Sequence, residues 1–242
     1  SSAASDVYKR QHCLVQAKET IGYAVGDFGI NLYFISAMTY LLYFYTDVMG
    51  LSATAAAGVM ALARTVDAVT DPVMGMIAER TRSRLGRLRP WLILGALPLG
   101  VITILTFTVP DLDANGKLWW AYTTYLLFGI LYTVVTIPYS VLTASITSDY
   151  AARTKLSTWR MACAFTGGLT VSVGTKPFVD LFADPADGFQ ALMAVFAVIA
   201  TGLLVTTFAT AEERVTPAPE QQLTLKLSLS LIHISEPTRH RR

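Results

Sequence analysis

Long stretches of the chain carry no charge. Residues 28–46, 90–110, 118–148 and 188–211 contain no Asp, Glu, Lys or Arg, and 161–175 is a shorter stretch of the same kind. Residues 52–78 are apolar apart from Arg64, Asp67 and Asp71. A bilayer core about 30 Å thick takes roughly 20 mostly apolar residues to cross as a helix. The pattern predicts six transmembrane helices, over 22–46, 52–79, 90–110, 118–146, 156–177 and 188–210. Gly167, Gly168 and Gly174 loosen the fifth, and Lys176 and Pro177 mark its end. Pro98 and Pro138 fit, because Gly and Pro are commoner in membrane helices than in soluble ones.

Composition narrows the class. The 242 residues are 53% hydrophobic and 15% charged, with a mean hydropathy of +0.47. Soluble domains carry about 25% charged residues, so a polytopic membrane protein is expected, with the lipid bilayer as a partner. Disorder is excluded, since it needs low hydrophobicity and high net charge. Two Cys exclude a disulfide scaffold or a Cys-rich zinc module. A net charge of +2 leaves no nucleic-acid footprint, and no such partner is expected.

Basic residues orient the helices. The loop after the second carries Arg80, Arg82, Arg84, Arg87 and Arg89, and the loop after the fourth carries Arg153 and Lys155. The opposite loops hold Lys117 and Lys176 beside Asp111, Asp113, Asp180, Asp184 and Asp187. Both termini are therefore expected in the cytoplasm.

The two tails read differently. Residues 1–13 lack periodicity and no apolar stretch follows their basic residues directly, so they are not a signal peptide. From 223 the chain repeats Leu and Ser and ends in LIHISEPTRHRR. Both tails resemble translated sequencing-adapter sequence, and the native segment is expected over about 14–222. His12, His233 and His240 all lie in these tails. No His falls in the bundle, and no HExxH, Cys–His or Ser-His-Asp set occurs there, so an enzyme and a resident cofactor or metal are not expected.

Charges inside helices cost about 2.5–3.5 kcal/mol at mid-membrane and are functional candidates. Asp67 and Asp71 lie four apart on one helix face, with Arg64 a turn before. Two carboxylates so close repel one another, and a bound cation relieves them. Hard oxygen ligands suit Na⁺, and a protonatable pair suits H⁺. An Arg64–Asp67 bridge holding helices together is the structural alternative. Pro72 removes a backbone donor and frees a carbonyl one turn earlier. Asp27, near the start of the first helix, is close enough to the interface to be wet. Asn31 sits in mid-helix and can bond a polar ligand. Tyr132, Thr136 and Ser140 form an i, i+4, i+8 polar stripe on the fourth helix. Tyr40 to Tyr45 read as an interfacial belt, and Trp119 and Trp120 as an outer anchor.

Three linked blocks carry a family resemblance. YLLYFYTDVMGLS (40–52) is followed by ARTVDAVTDP (63–72), then ERTRSRLGR (79–87) with Arg89, Pro90 and Trp91. Ile137, Pro138, Tyr139, Asp149 and Arg153 add to it. This succession resembles the glycoside–pentoside–hexuronide:cation symporters, the melibiose-permease-like branch of the major facilitator superfamily, over about residues 18–215. The resemblance implies twelve helices in two six-helix bundles, each of two inverted three-helix repeats, with the sugar between bundles. The chain would be the N-terminal six-helix bundle, and the C-terminal bundle a missing partner.

By motif, Asp67 and Asp71 take the family's cation-site carboxylates and Thr133 a cation-site threonine. Thr70 stands where that branch has an asparagine, which leaves the choice among Na⁺, Li⁺ and H⁺ open. On the sugar side Asn31 and Thr136 stand in place of two carboxylates and Ser140 in place of a stacking tryptophan, which argues against melibiose. Tyr132 and Arg160 match retained pocket positions, and Asp27 and Arg64 stand as further candidates. The expected function is cation-coupled symport of a sugar or glycoside across the inner membrane. A non-transporting sugar sensor and a proton-coupled antiporter are the alternatives. The basic 80–89 loop is expected to gate the cytoplasmic side by pairing with acids of the missing bundle.

Overall fold

The computed structural model describes residues 16–215, so the tail segments and all three histidines lie outside the described residues. Six helices fill the described chain: α1 (Ala17–Tyr43), α2 (Ala53–Arg80), α3 (Arg89–Thr106), α4 (Ala114–Ile146), α5 (Tyr150–Val179) and α6 (Pro185–Thr210). A π-helical turn, Phe44–Val48, extends α1. The predicted helices match in number and order. The third ends at Thr106, four residues earlier than expected, and the fifth begins at Tyr150, six residues earlier.

Local chemistry sets the starts. Ser52, Asp113, Asp149 and Asp184 each precede a helix and accept from a backbone N–H of its first turn. The Asp149 cap explains the early start of α5, which the polar run after it hides. α3 has no such cap. Its first donors are met instead by Glu213, beyond α6. The Glu213 carboxylate accepts from the backbone N–H of Arg87, Leu88 and Arg89 at 2.8–3.0 Å. Gly86 precedes them at φ +107°, and a Cβ there would fall 2.6 Å from the Glu213 carboxylate. Only glycine meets both demands. In return, Arg89 donates to the Phe208 carbonyl at the end of α6. Two of the loop arginines expected to pair with the missing bundle thus serve the bundle's own basic end.

The same segment closes the rest of that end. Arg214 bonds the buried carboxylate of Glu19 in the first turn of α1 at 2.8 Å, and the Arg214 and Val215 N–H groups bond Ser145 O at the end of α4.

Packing is ordered. α1 lies against α5 and α6, α3 against α6 and α4, and α4 against α2. These main contacts are unchanged when each helix of the first three is exchanged with its counterpart in the second three. That is the pattern expected of two three-helix repeats. α2 and α5 are exchanged with one another, and they are the two least apolar helices. α1 with its extension, α3, α4 and α6 are long and apolar enough to cross a membrane. α2 and α5 fall short because their charges dilute their apolar residues.

Small residues allow close approach. A Cβ on Gly167 would fall 2.8 Å from the Phe28 carbonyl, so α5 meets the α1 backbone there. The glycines expected to loosen α5 therefore include one that seats it. Phe44 and Tyr45 are fully buried, Phe44 packing on Phe107 and Phe189. The belt reading of 40–45 is corrected for these two: the π turn rotates them into the core. Trp119 is 72% exposed, as an anchor requires, but Trp120 is half-buried and donates to Leu105 O.

Two stability outcomes follow. Gly167→Ala lowers unfolding stability of the purified chain in detergent by about 1–3 kcal/mol, whereas Gly174→Ala, with nothing within 4 Å of the added Cβ, changes it by less than about 0.5 kcal/mol. Equal effects would contradict the close approach. Glu213→Ala costs about 2 kcal/mol, since three donors lose one charged acceptor, and Glu213→Gln costs less. A thermal melt unchanged by both would remove Glu213 as the cap of α3.

Candidate functional site

Two polar clusters join helices of the bundle, the first with Arg64 and Asp71 exposed and the second largely buried. The first joins α2 to α4. Asp67 and Asp71 are one turn apart on α2. Thr133 Oγ1 of α4 donates to Asp71 Oδ1 at 2.7 Å. Asp67 is half-buried, and its Oδ2 lies 3.4 Å from Arg64 Nη1. The Asp67 carboxylate rests on Gly129 of α4, where a Cβ would come within 2.8 Å of Oδ1. Arg64 also reaches Met38 Sδ on α1 at 3.0 Å. A cavity of about 30 Å³ lies among Phe34, Met38, Arg64, Asp67, Gly129 and Tyr132, room for a water molecule.

The structure thus brings Asp67, Asp71, Thr133 and Arg64 together. Thr70 is adjacent, but its hydroxyl donates to the Asp67 carbonyl at 3.4 Å and not to either carboxylate.

The second cluster joins α1, α4 and α5. Arg160 Nε donates to Asp27 Oδ2 at 2.5 Å. Arg160 Nη1 donates to Thr143 Oγ1 at 3.0 Å, which lies 2.6 Å from Tyr23 Oη. The guanidinium stacks over Tyr139 and Tyr23, at 4.8 and 5.4 Å from the ring centroids. Each of those phenols donates to the other residue's backbone carbonyl. Asn31 Nδ2 donates to the Asp27 carbonyl at 2.8 Å. The expectation of a wet Asp27 is corrected: the residue is 9% exposed and paired. Its depth comes from Arg160, which reaches across from α5.

The polar stripe of α4 is present, with its hydroxyls turned inward on the helix. Thr136 donates to Tyr132 O and Ser140 to Thr136 O. Their remaining lone pairs can accept from a ligand. Tyr132 stacks between Phe34 and Phe128, at 5.8 Å from each. It lines the cavity with Asp67 and stands one turn from Thr136. Asn31 lines a groove of about 500 Å³ between α1 and α5.

Sequence reasoning missed Thr143, Gly129 and the pairing of Asp27 with Arg160. Thr143 was within reach, because it continues the stripe of 132, 136 and 140 by another turn. The partnership of Asp27 with Arg160 spans 133 residues, and no local spacing signals it.

Comparison with known proteins agrees with this architecture. Residues 22–235 match the family described as MFS/sugar transport protein. The chain is 42% identical over 208 residues to the inner membrane symporter YicJ of Escherichia coli strain K12, covering 85% of this chain and 45% of that protein. It is 40% identical over 201 residues to the putative glycoside/cation symporter YagG of the same strain, covering 82% and 44%. It is 34% identical over 239 residues to the isoprimeverose transporter of Lactiplantibacillus pentosus, covering 97% and 49%. The chain spans about half the length of these relatives. Likeness of this extent, carried across all six helices, makes the chain a member of the MFS/sugar transport protein family.

Proposed function

We propose that this chain is the N-terminal six-helix half of a cation-coupled symporter for a sugar or glycoside, set in the inner membrane with its basic loops and both termini cytoplasmic. All six helices cross the bilayer, α2 and α5 turning their polar residues toward the bundle and its missing C-terminal partner. The chain is read as a transporter and not as an enzyme.

One observation carries the cation coupling. The mid-helix acids are Asp27, Asp67 and Asp71, and the mid-helix guanidiniums are Arg64 and Arg160. Each guanidinium pairs with one acid, Arg64 with Asp67 and Arg160 with Asp27. Asp71 is left with the Thr133 hydroxyl as its hydrogen-bond partner among the described residues. Asp71 is exposed on this half of the molecule; facing the missing half inside a membrane, a surplus of one carboxylate would match one monovalent cation, Na⁺, Li⁺ or H⁺. Asp67, Asp71, Thr133 and Thr70 would hold it, Thr70 after turning its hydroxyl away from its own helix.

Cation binding would neutralise the surplus carboxylate of Asp71, with Asp67 kept neutralised by Arg64. α1, α2 and α4 could then close, ordering Asn31, Tyr132, Thr136, Ser140 and Arg160 for sugar hydroxyls. Tyr132 supports the link, because it borders Asp67 and begins the stripe that leads to Arg160. Linkage requires the sugar to raise cation affinity by the factor by which the cation raises sugar affinity.

The test is sugar uptake by the complete transporter in proteoliposomes. Asp71→Asn abolishes stimulation by a Na⁺ or H⁺ gradient while the protein still folds. Undiminished stimulation would overturn the cation site, and absence of uptake by the wild-type protein would favour a sensor. Thr133→Val raises the cation concentration for half-maximal uptake about tenfold, the loss of one hydrogen bond to a charged group. Thr133→Ser keeps the hydroxyl and stays near wild type. Equal behaviour of the two variants would separate Thr133 from the cation.

A further inference from the structure

A groove of about 450 Å³ runs between α1, α5 and α6, walled by Val25, Phe28, Trp159, Ala162, Ile199 and Leu203. It is separate from the groove that holds Asn31, and none of its lining residues belongs to either polar cluster. We infer that this groove takes an acyl chain of an anionic phospholipid of the cytoplasmic leaflet, whose phosphate is held by Lys18 and Lys155. The site rests on the reading above for its membrane setting and its leaflet, and not on transport.

Two helix faces lead from the groove to the lysines. On α5, Lys155, Trp159, Ala162 and Thr166 fall at i, i+4, i+7 and i+11. On α1, Lys18, Ile21, Val25 and Phe28 fall at i, i+3, i+7 and i+10. The levels agree. Gly167 of α5 meets the α1 backbone at Phe28. Lys155 lies twelve residues before Gly167 and Lys18 ten before Phe28, about 18 and 15 Å toward the same end of the bundle. Both lysines are exposed. Trp159, one turn past Lys155, is 48% exposed, and its indole N–H makes no hydrogen bond among the described residues. An amphipathic ring at that depth suits the boundary between headgroup and chain.

Charge selects the occupant. Glu19 and Glu212 pair with Arg214, Glu213 caps the start of α3, and Asp149 caps α5. Neither Lys18 nor Lys155 meets a carboxylate among the described residues. Two cations beside an apolar slot match a ligand with an anionic head and a hydrocarbon body. The other end of the same helices makes the contrast. A groove of about 390 Å³ there is bordered by Tyr43, Lys176, Asp180 and Phe189, and Lys176 is paired with Asp180 at 2.8 Å. That pair is neutral and selects no charged head. A second copy of the protein fits less well. Seated by a twofold axis along the membrane normal, it would bring its own two lysines to the same level, like charge against like.

The test counts lipids on the complete transporter in a non-ionic detergent by native mass spectrometry. Palmitoyl-oleoyl phosphatidylglycerol is compared with phosphatidylcholine of the same chains. The wild-type protein holds one phosphatidylglycerol about thirtyfold more tightly, the effect of two lysines at a headgroup. Lys18→Gln and Lys155→Gln each remove about fivefold of that preference and together abolish it, while Lys176→Gln leaves it unchanged. Ala162→Phe, at an exposed position of the groove wall, weakens both lipids about tenfold, the burial of roughly two methylenes. Glycerol phosphate, the head without the chains, does not compete. Equal retention of the two lipids by the wild-type protein, a preference that survives the double lysine variant, or retention untouched by Ala162→Phe overturns the site. So does competition by glycerol phosphate, or a dimer that forms in place of lipid binding and that Ala162→Phe dissociates. The readout needs no sugar uptake, so any of these results leaves the symport reading in place, and failure of uptake leaves the lipid site in place.

Discussion

A charge set among apolar helices needs a polar partner from a neighbouring turn or helix, and this constraint organises the molecule. Three carboxylates and two guanidiniums lie in the middle of helices whose other side chains are mostly apolar. Asp27 and Arg160 are poorly solvated there, so helices must be brought together to hold them. Arg160 draws α5 onto α1 and α4 through Asp27 and Thr143. The Asp71–Thr133 bond draws α2 onto α4. In both cases one long-range polar contact fixes the rotation of a helix whose apolar pattern alone would leave it loosely defined.

The helices carrying these charges hold equivalent places. α2 and α5 stand at the two ends of the packing series, while α3 and α6 share its centre. The end positions leave one side of each helix uncovered. Val69 on α2 and Met161, Phe165, Leu169 and Val173 on α5 are all at least 64% exposed. A helix with one side free can keep mid-membrane charge on its inner side and still offer an apolar side to a partner. The central helices α3 and α6 have a neighbour on either side and carry no charge through their apolar lengths, their exposed faces being apolar as well, with Leu94, Leu97 and Val198 among them.

Helix number and order were legible because membrane spans announce themselves by the absence of charge over about 20 residues. Ends were less so. The start of α5 depends on Asp149 as a cap, and α3 is capped by a residue more than a hundred positions away, which no window along the chain can show. The acid pair was legible from its four-residue spacing. Asp27 was misplaced because its depth is set by Arg160, a tertiary partner. The buried Phe44 and Tyr45 were misread because a π turn changes the periodicity on which an aromatic belt is recognised.

α4 connects the two clusters in a way that separate pairs could not. Thr133 meets Asp71, and its neighbour Tyr132 stacks on Phe34 of α1 and borders the cavity beside Asp67. Ten residues further, Thr143 holds Arg160. At 1.5 Å per residue these points are about 15 Å apart on one continuous helix. The stripe hydroxyls between them are bonded to their own helix, and the helix continues through Pro138. A displacement of α4 at the acid pair is, in the proposed cycle, passed along this helix to Thr143, which holds the guanidinium paired with Asp27. In the proposed cycle the cation and the sugar need not touch: they act on two ends of the same helix.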